Sequence, residues 1–404
     1  MSDFLVIGAR GIPGVEGGAE KHAEYVFSRF AANGYDVTLL GTRQSIRCSE
    51  YRGVKLVGIP TIYFANTEKF VYHFFCFVYA LFNRPKLVHL QGLNSGIFLF
   101  LYRLFGMKVV MRYGSADYEH SKWGFIGRIG FRLCEWQINL ADHVIVVSQK
   151  YRRELSSRYG LKAISVIPNG VDDAGITDAA RTYWNELGLE GKRYLLSVGR
   201  LTVDKGYADT IKALERLGNS NVELVIVGGP DGTNFHEHLW AMGGRNTRFL
   251  GRLDRQLLSL LYMHCSAYVS ASAHEGLSNS ILEAISFGSP LIVSDIPANR
   301  EMSLNEVCYF RQGDAEALAE KISAALASSG NFIVDRRGFV GWDEVFEMTE
   351  RVYQSLLPTL RSQNRHLATL AVEKHAHTST SQIPHSKPAP VISSSTSTTR
   401  PGKQ

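Results

Sequence analysis

Short runs of almost unbroken apolar residues recur along the chain, and longer amphipathic stretches separate them. The first run spans residues 4–8; later ones fall at 37–40, 54–58, 87–90, 108–111 and 144–147. Uniform rather than alternating runs of this length belong to strands buried on both faces, as in a parallel sheet. Between the first two lies a helical stretch over 19–33, stopped by Gly34. The rhythm breaks at Ile167-Pro168-Asn169-Gly170-Val171-Asp172, where Pro and Asn-Gly supply turn chemistry and mark a domain junction. A second series of strands follows at 194–198, 222–227, 248–250, 267–269 and 290–293. The unit is β-α-β throughout. The pattern predicts an α/β chain of two Rossmann-like halves, residues 1–168 and 169–341, facing a cleft beyond the carboxyl ends of their strands.

Two segments, 70–82 and 97–105, are apolar on nearly every side. Both are shorter than the roughly 20 residues a membrane span needs. They read as core helices; the alternative is a surface that touches a bilayer or a lipid-linked acceptor. From about residue 362 Ser, Thr and His replace the apolar residues, which predicts a disordered tail over 362–404. His375, His377 and His385 in that tail are assigned no chemistry.

Composition narrows the class. Of 404 residues, 45% are hydrophobic and 20% charged, enough for two packed cores. The net charge of +6 suits an anionic substrate or an acidic membrane surface and is too small to argue for nucleic acid. The 5 Cys are scattered without a C-x-x-C spacing, which disfavours disulfides and a zinc site. The opening MSDFLVIGARG reads as a strand rather than a signal peptide, so the expectation is cytoplasmic, with peripheral contact at the inner face of the plasma membrane as an option.

Three stretches carry candidate chemistry. In the first, Glu275 precedes a helix over 281–287 and Glu283 lies inside it, with Ser278 in position to cap. The helix N-terminus offers backbone N–H groups to phosphate, and the two carboxylates can accept hydroxyls at either end of one ligand. A nucleotide sugar, with sugar, diphosphate and ribose in line, has that layout. In the second, Val198-Gly199-Arg200-Leu201-Thr202-Val203-Asp204-Lys205-Gly206, Arg200 ends a strand and Lys205 opens a helix, so both cations can face a diphosphate. The third is the glycine loop Gly8-Ala9-Arg10-Gly11-Ile12-Pro13-Gly14-Val15-Glu16-Gly17-Gly18. It lets a ligand approach the backbone. It lacks a clean GxGxxG and a following strand-end acid, which counts against a dinucleotide. Each cation, carboxylate or glycine taken alone is equally readable as ordinary surface or turn chemistry.

Together these stretches resemble glycosyltransferase family 4, the retaining GT-B enzymes. The resemblance covers about residues 1 to 360. It includes the Glu275-x7-Glu283 element, the Arg200/Lys205 pair, the IPNGVD junction, the Phe249-Leu250-Gly251-Arg252-Leu253 strand and the Gly17-Gly18 loop. The opening GARGIPGVEGGAEKH is similar to a bacterial branch that builds capsular or exopolysaccharide chains. The resemblance implies a transferase in which Glu275 contacts donor-sugar hydroxyls, Glu283 the ribose, and Arg200 and Lys205 the diphosphate. Gly276, Leu277 and Ser278 would lie near phosphate and sugar, with Gly251 and Arg252 at the base. It implies no metal or other cofactor, a glycan or lipid-linked acceptor, and a last helix over about 342–360 that crosses back to the first half. One departure stands out. Many relatives carry a His after a strand of the first half, whereas here the region reads Met111-Arg112-Tyr113-Gly114-Ser115-Ala116-Asp117-Tyr118-Glu119-His120. Asp117, His120 and His89 are the candidates for the acceptor side. The competing readings are a sugar-nucleotide epimerase on the same fold and a non-catalytic subunit that binds a sugar nucleotide.

Overall fold

The computed structural model describes residues 2–15, 17–61, 68–115, 125–171, 181, 184–218, 221–230 and 232–358. Asp117, His120 and the tail over 362–404 lie outside them. The first half runs β1 (Phe4–Ile7), α1 (Gly18–Ala32), β2 (Val37–Thr42), β3 (Glu50–Tyr51), β4 (Val54–Ile59), α2 (Glu68–Asn83), β5 (Leu87–Gln91), α3 (Leu99–Leu104), β6 (Lys108–Tyr113), α4 (Phe125–Gln137), β7 (His143–Val146), α5 (Gln149–Tyr159) and β8 (Ile164–Val166). These strands make one sheet in the order β3-β4-β2-β1-β5-β6-β7-β8, parallel except for the antiparallel β3–β4 edge. β1 is central: Phe4 stands opposite Val37 on one side and Leu87 on the other.

Successive β1 side chains point to opposite faces, and each face has its own core. Phe4 and Val6 pack with α1, while Leu5 and Ile7 pack with residues of α2, α3, α4 and α5. All four are fully buried, which is why the run carries no polar residue.

The second half runs β9 (Arg193–Val198), α6 (Tyr207–Arg216), β10 (Val222–Val227), α7 (Phe235–Met242), β11 (Thr247–Phe249), α8 (Arg255–His264), β12 (Ala267–Ser270), α9 (Asn279–Ser286), β13 (Leu291–Ser294), α10 (Pro297–Arg300), β14 (Tyr309–Phe310) and α11 (Ala315–Ala327). Its sheet is wholly parallel, in the order β11-β10-β9-β12-β13-β14. A last helix, α12 (Trp342–Leu356), returns to the first half. Its Tyr353 meets Phe4 and Phe30 at ring-centroid distances of 4.8 and 5.0 Å, and Phe346 meets Phe30 at 4.9 Å. The chain leaves and re-enters the first half side by side, where the Val171 N–H donates to the Val340 carbonyl at 2.9 Å.

The expectation of core helices for the two apolar segments needs correcting. In α2, Tyr72, Cys76, Phe77 and Ala80 are buried, but Phe70, Phe74 and Phe82 are 51%, 44% and 86% exposed. In α3, Leu99 and Tyr102 are buried, whereas Phe100 and Leu104 face outward. One stripe of each helix meets the sheet; the opposite stripe is apolar without being covered.

Candidate functional site

The carboxyl ends of both sheets face one cleft of about 1660 Å³, lined by residues of both halves. That is larger than the ~300–1,000 Å³ of an ordinary small-ligand pocket, and it leaves room for a second reactant. Arg200, Lys205, Arg252, Glu275, Gly276, Leu277, Ser278, Glu283, Gly17 and Gly18 all line it. Gly251 does not; it sits one residue behind Arg252, where its carbonyl accepts the Gly228 N–H at 2.7 Å.

Arg200 follows β9, and Lys205 closes the 3-10 turn Val203–Lys205 that leads into α6. Lys205 Nζ donates to Glu275 Oε1 at 2.5 Å, and Ser272 Oγ donates to the same oxygen at 2.8 Å. The sequence expectation put Lys205 on phosphate and Glu275 on sugar. Here the two are partners, with side chains only 24% and 13% exposed. Among the described residues no side chain pairs with Arg200, which is exposed at the cleft.

Glu283 lies within α9 and has both oxygens engaged. Lys21 Nζ, from the first turn of α1 in the other half, donates to Oε1 at 2.5 Å, and the Tyr262 hydroxyl donates to Oε2 at 2.9 Å. Burial, then the Glu283 charge, hold the Tyr262 hydroxyl well above its ordinary pKa, so it stays a donor at neutral pH. Lys21 and Tyr262 were not singled out from sequence, because only the approach of two separate elements reveals them. Asn279 is a further cleft residue, and its Oδ1 is buried without a hydrogen-bond partner among the described residues.

Two expectations fail locally. Ser278 occupies the N-cap position of α9, yet its side chain caps nothing; its Oγ sits 3.0 Å from Ser280 Oγ instead. The helix N-terminus is therefore left to the cleft. His89 is fully buried in β5 and does not line the cleft, so the structure does not put it on the acceptor side. It belongs to a polar relay inside the first half. The Tyr353 hydroxyl lies 2.6 Å from His89 Nδ1, His89 Nε2 is 2.7 Å from Gln91 Oε1, and Gln91 Nε2 is 2.9 Å from His22 Nδ1 and 3.1 Å from the Ala19 carbonyl. One set of tautomers satisfies all four contacts: Tyr353 donates to His89, His89 to Gln91, and Gln91 to His22 and Ala19. The relay fixes α12 to β5 and to the start of α1. Burial pushes the His89 imidazole down to about 3 and His22 well below its usual value, so both stay neutral.

The halves meet at several points around the cleft. A Cβ on Gly276 would lie 2.0 Å from the Gly114 carbonyl oxygen of the other half, so only glycine fits. Arg255 of α8 donates to the Tyr25 hydroxyl at 2.8 Å and covers its ring. Glu301 accepts the N–H groups of Gln149, by a short contact, and of Lys150, at 2.9 Å, at the N-terminus of α5. Gly17 has φ 142°, a backbone that L side chains rarely adopt, and a Cβ there would lie 2.0 Å from Glu20 Oε2. Glu20 in turn accepts Arg10 Nε at 2.7 Å, bracing the glycine loop.

Two facing parallel sheets, a shared cleft and a returning last helix define the GT-B architecture. Sucrose-phosphate synthase from Thermosynechococcus elongatus shares that fold, with a TM-score of 0.76 at 19% identity over 89% of this chain and 100% of that one. So does Anabaena HepE in complex with UDP and glucose, with a TM-score of 0.72 at 15% identity over 88% of this chain and 100% of that one. Residues 16–174 match the family model described as Glycosyltransferase Family 4, and residues 181–334 match that described as Glycosyl transferases group 1. The chain belongs to the family 4 glycosyltransferases. Among curated relatives, the glycogen synthase of Mycobacterium tuberculosis is 32% identical over 198 residues, 46% of this chain and 46% of that protein. The O-antigen chain mannosyltransferase RfbU of Salmonella typhimurium is 26% identical over 223 residues, 52% and 60% of the two. The chain spans about half the length of the curated relatives it matches.

Proposed function

We propose that the chain transfers a sugar from a nucleoside-diphosphate sugar to a hydroxyl of a glycan or lipid-linked acceptor, with retention at the anomeric carbon, in the synthesis of a bacterial surface or exported polysaccharide. The observation that carries this reading is the convergence of Lys205, Glu275, Arg200, the α9 N-terminus and Glu283 on one cleft. Cations suited to a diphosphate and carboxylates suited to sugar and ribose hydroxyls all line it.

In this reading the diphosphate lies across Arg200, Lys205 and the first N–H groups of α9. Fixed positive charge in a part-buried cleft stabilises the charge that develops on the leaving group. The bond between the anomeric carbon and the phosphate oxygen breaks. The acceptor oxygen forms its bond on the same face, and its proton passes to the departing phosphate oxygen. Glu275 orients the sugar hydroxyls and Glu283 the ribose, each as a charged acceptor. Donor entry exchanges part of the Lys205–Glu275 contact for phosphate and sugar. The cations and the helix end supply the charge neutralisation, so the reading assigns no resident metal.

HepE is described in complex with UDP-glucose, and UDP-sugars are therefore the first donors to test. The experiment is a screen of UDP-, GDP- and dTDP-sugars for a rise in melting temperature, then proton NMR of the product. A stabilising donor whose product keeps the donor's anomeric configuration supports the reading. An inverted product overturns retention, and no stabilisation by any of them overturns the donor site.

A further inference from the structure

We propose that the outer face of α2, α3 and α4 is a docking surface for an anionic lipid bilayer, which seats the first half on the membrane with the cleft open toward a lipid-linked acceptor. The choice of acceptor rests on the transfer reading above; the bilayer contact does not.

Large apolar side chains stand exposed on this one layer. Phe82, Leu104, Trp136 and Leu133 are 86%, 73%, 60% and 58% exposed, with Phe74 and Phe100 near 44% and 45%. Exposed apolar residues scattered singly are normal, as in the second half, where Val203, Trp240, Met263, Val307 and Ile333 sit on separate elements. Here the helices that bear them adjoin. Phe70 meets Phe98 at 4.9 Å and Phe77 meets Phe105 at 5.7 Å, which joins α2 to α3. Gln137 of α4 donates to the Ile97 carbonyl and accepts the Phe100 N–H, both at 3.1 Å, which joins α4 to α3. An exposed apolar layer of this kind marks an interaction site.

The charges select the partner. Arg84 and Arg132 are exposed in this stretch, as are Lys86 and Lys108, which pair with Asp3 and Asp142, and Lys69, at the cleft rim. Among its described residues every acid is withdrawn. Glu135 is buried and accepts from Tyr113, Arg158 and Tyr159; Asp142 is held by Arg103 and Lys108; Glu68 is half-buried. Exposed apolar anchors on helices that also carry exposed Arg84 and Arg132 fit the acyl boundary and the anionic headgroups of a bilayer. A second copy of the same face would set cations against cations.

The position of α2 links this surface to the cleft. Its Lys69 and His73 line the cleft, while Phe70 and Phe74, the residues after each, face outward. An acceptor anchored in lipid under α2 has its head group beside the cleft rim.

The test is sedimentation of the full chain with vesicles of phosphatidylcholine, with and without phosphatidylglycerol. The expected result is binding to the anionic vesicles that weakens with added salt. The triple variant F82E/L104E/W136E should bind at least about tenfold more weakly, with unchanged melting temperature and unchanged stabilisation by nucleotide sugar. Arg84→Glu with Arg132→Glu should remove the preference for phosphatidylglycerol. The proposal is overturned if the full chain stays in the supernatant with both vesicles, if the triple variant binds as well as the parent, or if the triple variant alters only self-association. Vesicle binding by a chain that stabilises with no donor would leave this surface standing and remove the transfer reading.

Discussion

Lys21 and Glu283, 262 positions apart in sequence, form a 2.5 Å ion pair that joins the two halves across the cleft. Lys21 is the second residue of the EKH that follows the glycine loop, and Glu283 is the carboxylate assigned to the donor ribose. Under the proposed reading the pair would join the halves at the donor site. Glu283→Gln keeps the shape but removes the charge from both contacts. A charge-assisted hydrogen bond to the ribose is worth about 1.5–3 kcal/mol, so the donor KM should rise about tenfold or more, with kcat changed far less. Lys21→Ala leaves Glu283 its charge. It should lower the melting temperature by about 1–2 degrees while the donor KM stays within about threefold, since loss of ~1 kcal/mol shifts a chain of this size by roughly a degree. Steady-state kinetics and thermal melts on both variants check the split.

Gly276→Ala tests how close the halves must come. The added Cβ meets the Gly114 carbonyl oxygen at 2.0 Å, and neither atom belongs to a flexible side chain. Overpacking of this kind costs about 1–3 kcal/mol, and relief comes from parting the halves. Transfer should fall at least about tenfold, with the melting temperature reduced in step; a near-native rate would show that the closed contact is dispensable.

Much of this site is legible in the residue order, and the missing parts share a cause. The central strands of both sheets, such as β1, β5 and β13, stand out as apolar runs because they are buried on both faces. Glu275, Glu283, Arg200 and Lys205 stand out because strand ends and helix starts point at one crevice. The partners of these groups, Lys21, Tyr262 and Ser272, come from other elements, and no local pattern announces them. β3 and β14 are two residues long, too short to leave a period. The outer faces of α2 and α3 were hidden by their own composition: a helix apolar all round reads as buried, and only packing shows which stripe is uncovered. His89 reads as a strand-end ligand until Tyr353 is brought to it by α12 from the far end of the described chain.

The buried histidines make the fold acid-sensitive. Burial holds His73 and His89 at about 3, against an ordinary value of 6.5. Below pH 6.5 the unfolded chain takes up protons that the folded chain refuses. Their contribution is therefore intact above 6.5 and is lost progressively as pH falls toward 3. Each group adds up to about 1.4 kcal/mol per pH unit, so between pH 6 and 5 stability should drop by roughly 2–3 kcal/mol. Urea unfolding at the two pH values, followed by tyrosine and tryptophan fluorescence, measures it. Replacing His89 by Gln should flatten the slope.

If Arg200, Lys205 and the α9 N-terminus neutralise the diphosphate as proposed, no metal is required. Dialysis against EDTA should leave the transfer rate unchanged, whereas Arg200→Ala and Lys205→Ala should each lower kcat by about 10²-fold or more, the scale for loss of a fixed group that stabilises developing charge. A rate that collapses on chelation and returns with added magnesium would move that role to a metal.

Lys205 and Ser272 hold Glu275 at the cleft by one oxygen, at 2.5 and 2.8 Å. The decisive measurement is the transfer rate of Glu275→Gln with the donor that most stabilises the parent chain. The predicted result is a loss of at least about 10²-fold in kcat with an unchanged melting temperature. A rate near that of the parent would contradict the assignment of this cleft as a glycosyl-transfer site organised by Glu275.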